Sequence, residues 1–219
     1  MLFKNTVEIE TLFLIEELMQ EPLLDNFRLV GGTALSLMRG HRTSDDIDLF
    51  TDTDFNQEEI KNLFKTKYSK GRLDIQEYSF GFTFYYTDYE NNHDVKIDVM
   101  NFSTDPFLEE YTIIDSIRMA TLKDIAAMKL NAVKSRRTKK DFIDIYYLLD
   151  DFSLEEMLEF NHQRFVFEEY KDALIGMANI SEADSDPMPK MFSEITWKDV
   201  KEKIISEVEL YHKNNIENR

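Results

Sequence analysis

Apolar residues recur along this chain with two different periods, and the switches between them divide it. Ile9, Leu12, Phe13 and the run from Ile15 to Met19 fall at helical spacing over residues 6–20, and Glu21 with Pro22 ends that helix. Residues 27–30 read as a short strand, 34–38 as a short helix and 47–50 as a strand. Over 56–67, Ile60, Leu63 and Phe64 keep helical spacing, with Glu58, Glu59 and Lys61 outside. Three strands follow at 73–78, 82–86 and 95–100, separated by Gly81 and by a turn at 89–93. From Thr121 onward the period is helical, with helices expected at 122–133, 140–149, 154–160, 167–177 and 197–211 and a polar loop at 181–189. This order predicts an α/β domain over residues 1–115, a mixed sheet with flanking helices. A helical C-terminal domain over 116–219 is expected to close its cleft.

Chemistry concentrates in residues 28–50. The chain has only six glycines, and two of them, Gly31 and Gly32, stand side by side between the first strand and the short helix. Such a pair serves backbone that takes positive φ or lets a ligand approach closely. Thr33 can cap the helix, and the amides at its start form an anion site suited to nucleotide phosphates. In the strand that follows, a period of two puts Asp46 and Asp48 on one face and Ile47 and Leu49 on the other. Two carboxylates so spaced can share a hard divalent cation such as Mg2+ or Mn2+. Asp52 with Asp54 and Asp184 with Asp186 repeat the spacing without the glycine pair, so context singles out Asp46 and Asp48.

Asp98 is a lone acid among apolar neighbours in the strand 95–100, on the same face as Lys96. It reads either as a third carboxylate of the site or as an edge-strand acid facing water and pairing with Lys96. In the helix opened by Thr121 and Asp124, a variant capping box, Lys129 falls within the apolar stripe. It must snorkel outward or point its ammonium into a polar cleft. Five basic residues then crowd into 134–140, either a solvated helix end or a local anion-binding patch that includes Arg136. In the next helix Asp141 and Asp144 share a face with Ile145 and Leu148, so at least one is expected to be partly buried and paired with Lys129 or an arginine.

The run Gly31-Gly32-Thr33-Ala34-Leu35 followed by Gly40-His41-Arg42-Thr43-Ser44-Asp45-Asp46-Ile47-Asp48-Leu49-Phe50 resembles the first motif of the AbiEii/AbiGii toxin family. That family is a branch of the polymerase-β-like nucleotidyltransferases. The resemblance continues through Lys129, Arg136 or Arg137, Asp141 and Asp144, with Lys140 standing where the family's later motif has arginine. It implies a nucleotidyltransferase fold, an NTP substrate and a divalent metal held by Asp46, Asp48 and Asp98. Asp98 would help deprotonate the attacking hydroxyl. Gly31, Gly32 and Thr33 would hold the triphosphate, with Lys129 neutralising its charge. It also implies a toxin of a toxin–antitoxin or phage-defence system with a cognate antitoxin, and RNA such as tRNA as acceptor.

The formal net charge of −17 disfavours general DNA binding, so any RNA acceptor would need the basic residues of 134–140. With no cysteines, no signal-peptide pattern in the first residues and no apolar run near the ~20 residues of a membrane span, a soluble cytoplasmic protein is expected. His162, Trp197 and His212 read as packing or surface residues, since no two histidines have metal-ligand spacing. Two rival functions use the same scaffold: a phosphotransferase that moves the γ-phosphate, and a non-catalytic interaction module.

Overall fold

A computed structural model describes residues 1–89, 93–167 and 169–215. They divide into two compact units, Met1–Pro106 with Glu110–Ala120, and Phe107–Glu109 with Thr121–Arg219.

In the first unit, α1 (Ile9–Leu18) buries Leu12, Leu14, Ile15 and Leu18, and a 3-10 turn at Pro22–Leu24 leads into β1 (Arg28–Leu29). Then come α2 (Gly31–Arg39), β2 (Ile47–Thr51) and α3 (Gln57–Lys67), whose start is capped by the Asn56 side chain accepting from the Glu58 and Glu59 amides. Five strands complete it: β3 (Arg72–Tyr78), β4 (Gly81–Asp88), β5 (His93–Asn101), β6 (Thr112–Ile114) and β7 (Ile117–Met119). They form one mixed seven-stranded sheet in the order β3-β4-β5-β2-β1-β7-β6. Residues 90–92 of the expected turn lie outside the described residues.

The alternation expected of the central strands is present. Val95, Ile97 and Val99 of β5 and Ile47 and Leu49 of β2 are buried on one face, while Lys96, Asp98 and Asp48 stand half-buried on the other. The apolar face carries α3, with the Phe64 ring stacked on Phe84 at 4.1 Å. Burying rings such as these contributes about 1.5–3 kcal/mol each. The small hairpin of β6 and β7 was not expected from the sequence. Its turn residues Asp115 and Ser116 both take positive φ, 50° and 68°, as a type I′ turn requires. From β7, Arg118 donates to the carbonyls of Met19, Leu24 and Phe27, so one guanidinium satisfies three backbone acceptors between α1 and β1.

The second unit is helical: α4 (Leu122–Ser135), α5 (Lys139–Leu148), α6 (Leu154–Arg164), α7 (Tyr170–Ala178) and α8 (Trp197–Asn215). Thr121 caps α4 by accepting from the Asp124 amide, as the sequence suggests. Asp124 does more than complete a capping box. Fully buried, it accepts from the Leu108 amide at 2.8 Å and pairs with Arg164 of α6 at 2.6 Å. Asn161 donates to the Ala127 carbonyl, a second polar tie between α6 and α4. Trp197, expected to be a packing or surface residue, lies near Phe142 and donates to Asp184. No helix among the described residues is long and apolar enough to cross a membrane.

Candidate active site

The glycine pair opens α2 itself. The helix was expected over 34–38 with Thr33 as its cap, but it begins at Gly31, with Val30 as N-cap and no side-chain capping bond. Thr33 lies in the first turn and is fully buried. Its hydroxyl donates to the Asp46 carbonyl and sits 3.0 Å from the Ser44 hydroxyl, so it ties the helix to the loop before β2 instead of capping. Gly31 has φ +70°, a conformation open to glycine, and a Cβ there would collide with the Asp48 carboxylate. At Gly32 a Cβ would collide with the Arg42 guanidinium and meet Ser44 Oγ at 3.2 Å. Gly31 is thus required by both its φ and the approach of Asp48, while the space at Gly32 is filled by the Arg42 guanidinium. The first amides of a helix have no intrahelical acceptor and carry the positive end of its dipole.

Backbone pairing sets the carboxylates beside this helix start. Val30 donates to the Asp48 carbonyl, and β2 runs parallel to β5 in a register that opposes Asp48 to Asp98. The two side chains thus share the half-buried face of the sheet. Asp46 lies just before β2 and is exposed. Asp98 is not on an edge, because β5 is flanked by β4 and β2. It does pair with Lys96, at 2.5 Å through Oδ2, while Oδ1 accepts from the buried Thr83 hydroxyl at 2.6 Å. Thr83 stands directly opposite Asp98 in the register of β4 and β5. Burial pulls the Lys96 ammonium down, but its bond to Asp98 and the charges of Asp98, Asp48 and Asp46 outweigh it and hold the pKa above the ordinary lysine value.

Asp48 and Asp98, opposed in register, offer donors of the kind a hard divalent cation takes. The donors are carboxylate oxygens, Gly31 lacks the side chain that would displace one of them, and the ammonium of Lys96 already acts as a cation among them. The sequence singled out Asp46, Asp48 and Asp98 but missed Arg42 and Thr83 as neighbours of this site. Arg42 is 2% exposed and packs on Gly32; its position next to a histidine in a polar turn was its one local signal. A separate group in the same unit, Glu8, Glu10 and His93, brings one ligand atom from each within 4.8 Å of the others. There His93 is engaged by Thr11 at 3.0 Å and Glu8 at 3.2 Å.

The other expected residues lie in the helical unit. Lys129 does not snorkel: it is 5% exposed, and its ammonium contacts Asp141 at 3.0 Å and Asp144 at 2.6 Å. Both acids are buried, so α4 and α5 are joined through an ion cluster. Burial raises the Asp141 pKa, but Lys129, Arg136 and the Thr138 hydroxyl together hold it below the ordinary aspartate value. Arg136 reaches Asp141 at 3.2 Å, Arg137 pairs with Glu182, and the buried Lys139 donates to the carbonyls of Asp184 and Asp186. Arg136, Arg137 and Lys139 of the segment 134–140 are thus engaged within their own unit.

Comparison with known proteins bears on this geometry. Residues 12–216 match the family described as the nucleotidyl transferase AbiEii toxin of a type IV toxin–antitoxin system. An uncharacterised protein of Aquifex aeolicus is 30% identical over 150 residues, which are 62% of this chain and 63% of that protein. The chain therefore spans somewhat less than two thirds of that relative. Among solved structures, JHP933 from Helicobacter pylori is similar with a TM-score of 0.62 and 18% identity, over 95% of this chain and 94% of that one. The nucleotidyltransferase toxin MenT4 from Mycobacterium tuberculosis has a TM-score of 0.56 and 12% identity, over 90% and 83%. Both likenesses concern the fold.

Proposed function

The chain belongs to the AbiEii family of nucleotidyltransferase toxins, and from that premise we propose that it transfers a nucleoside monophosphate from an NTP to an acceptor hydroxyl. The observation that carries the reading is the parallel register of Asp48 with Asp98 beside the glycine-opened start of α2. A phosphate-binding helix end next to paired carboxylates is the arrangement that such a transfer needs. Membership in a type IV toxin–antitoxin family implies a cognate antitoxin and an NTP substrate.

In this reading the first-turn amides at Gly31, Gly32 and Thr33 hold the β and γ phosphates. Asp46 and Asp48 hold Mg2+ or Mn2+, with Asp98 beside them. When bound, the ion would neutralise phosphate charge and polarise the phosphorus for attack. Asp98, fixed by Thr83, orients the acceptor hydroxyl and takes its proton. The acceptor oxygen bonds to the α-phosphorus as the bond to pyrophosphate breaks, and pyrophosphate leaves with the electron pair. We assign Lys129, Asp141 and Asp144 a positioning role within the helical unit, since the Lys129 ammonium already faces two buried carboxylates. The acceptor is proposed to be RNA such as tRNA, met by the basic segment 134–140, in which Lys140 is exposed.

Incubating the protein with Mg2+, total tRNA and each NTP in turn tests this. The proposal expects inorganic pyrophosphate to be released with one or more NTPs and the release to stop on chelation. Formation of nucleoside diphosphate in its place would assign phosphoryl transfer to the same site.

A further inference from the structure

Asp98 presents both of its oxygens to partners from its own sheet. Thr83 donates to Oδ1 at 2.6 Å from the neighbouring strand, and Lys96, two residues earlier on the same face of β5, donates to Oδ2 at 2.5 Å. The Asp98 side chain is 14% exposed and that of Lys96 35%, so the ammonium belongs to the more exposed member of the pair. Lys96 offsets one of the three formal negative charges of these carboxylates. A second divalent ion shared by Asp98 would have to displace Lys96 or accept a cation at its side.

We propose that Lys96 is a built-in counter-ion of Asp98 that takes the place of one of the two metal ions a three-carboxylate transferase site can hold, so that this site works with one divalent ion. The inference rests on the carboxylate reading given above and deepens it. It divides the site in two. Asp46 and Asp48 serve the metal, whereas Asp98 and Lys96 serve the acceptor hydroxyl, where the ammonium stabilises the attacking oxygen without recruiting an ion. Lysine suits this place because its ammonium is a compact charge on a flexible stem, able to follow the oxygen as the bond forms.

The test is Mn2+ binding to the intact protein without nucleotide, followed through the electron paramagnetic resonance signal of free Mn2+. Wild type is expected to bind one ion per chain and Lys96→Met two, with Lys96→Arg restoring one. Asp48→Asn is expected to lose the ion of the wild type, and thermal melting identifies any variant that fails to fold. Two ions on the wild type that both survive His93→Ala, or one ion on a folded Lys96→Met protein, would overturn the role of Lys96 while leaving the carboxylate site intact, the His93→Ala variant removing any ion held by Glu8, Glu10 and His93. No Mn2+ binding by wild type, or binding unchanged in Asp48→Asn, would overturn the carboxylate reading and the inference with it.

Discussion

The space left by the missing side chain of Gly31 is where the Asp48 carboxylate packs, and the two meet because Val30 is hydrogen-bonded to the Asp48 carbonyl. A methyl group at residue 31 would both collide with Asp48 and hold an L-residue at φ +70°. Gly31→Ala should therefore cost about 1–2 kcal/mol of stability, the penalty of a left-handed alanine. Displacing the carboxylate by about 1 Å should lower turnover about 100-fold. Denaturant midpoints and initial rates measured together check both effects, and a variant of normal activity would remove the link between Gly31 and Asp48.

Thr83 offers a milder probe of the same site. Its hydroxyl donates to Asp98, and hydrogen bonds to charged groups contribute about 1.5–3 kcal/mol. Thr83→Val keeps the shape of a buried β-branched residue and removes only that bond. Turnover should fall by at least about tenfold, as 1.4 kcal/mol per decade implies, with substrate affinity little changed. A fall confined to KM would point to a role in binding instead.

Lys129 separates a structural role from a phosphate-binding one. Removing one partner of a buried ion cluster leaves uncompensated charge and typically costs about 3–5 kcal/mol. Lys129→Met should thus be destabilised by that amount, and the double variant with Asp144→Asn should regain part of it. Retained stability with lost turnover would return Lys129 to the triphosphate.

Asp141 sets a pH dependence with a definite sign. Its folded pKa lies below the unfolded value, so the folded state binds the proton less well. The stability it contributes is present above the unfolded aspartate value, about 3.9, and is lost as the pH falls through the folded value. Acid unfolding followed by circular dichroism should lose part of its pH dependence below about 4 in Asp141→Asn. An unchanged acid profile would show that the cluster does not respond to Asp141.

The alternation of Ile47, Asp48 and Leu49 and of Ile97, Asp98 and Val99 made the central strands and their acids legible, because strand period alone decides which side chains share a face. The partner of each acid was harder to read. Thr83 lies fifteen residues from Asp98, and only the register of β4 against β5 brings the two together. The sequence left open whether Asp98 served the site or merely paired with Lys96, and in the structure that pairing exists on a central strand. The hairpin of β6 and β7 escaped notice because two three-residue strands are too short for a period to show, although Asp115 and Ser116 are turn residues. Thr33 looked like a cap by position. The helix starts earlier, at Gly31, which places the threonine in its first turn, where it braces the Ser44 to Asp46 loop.

The central claim is that Asp48 serves transfer of a nucleoside monophosphate. Its most direct test gives the protein Mg2+, total tRNA and each NTP labelled at either the α- or the γ-phosphate, with Asp48→Asn in parallel. The account predicts α-label in the acceptor from at least one NTP, no γ-label there, and neither with the folded Asp48→Asn protein. Transfer of γ-label alone, or full activity in Asp48→Asn, would contradict it.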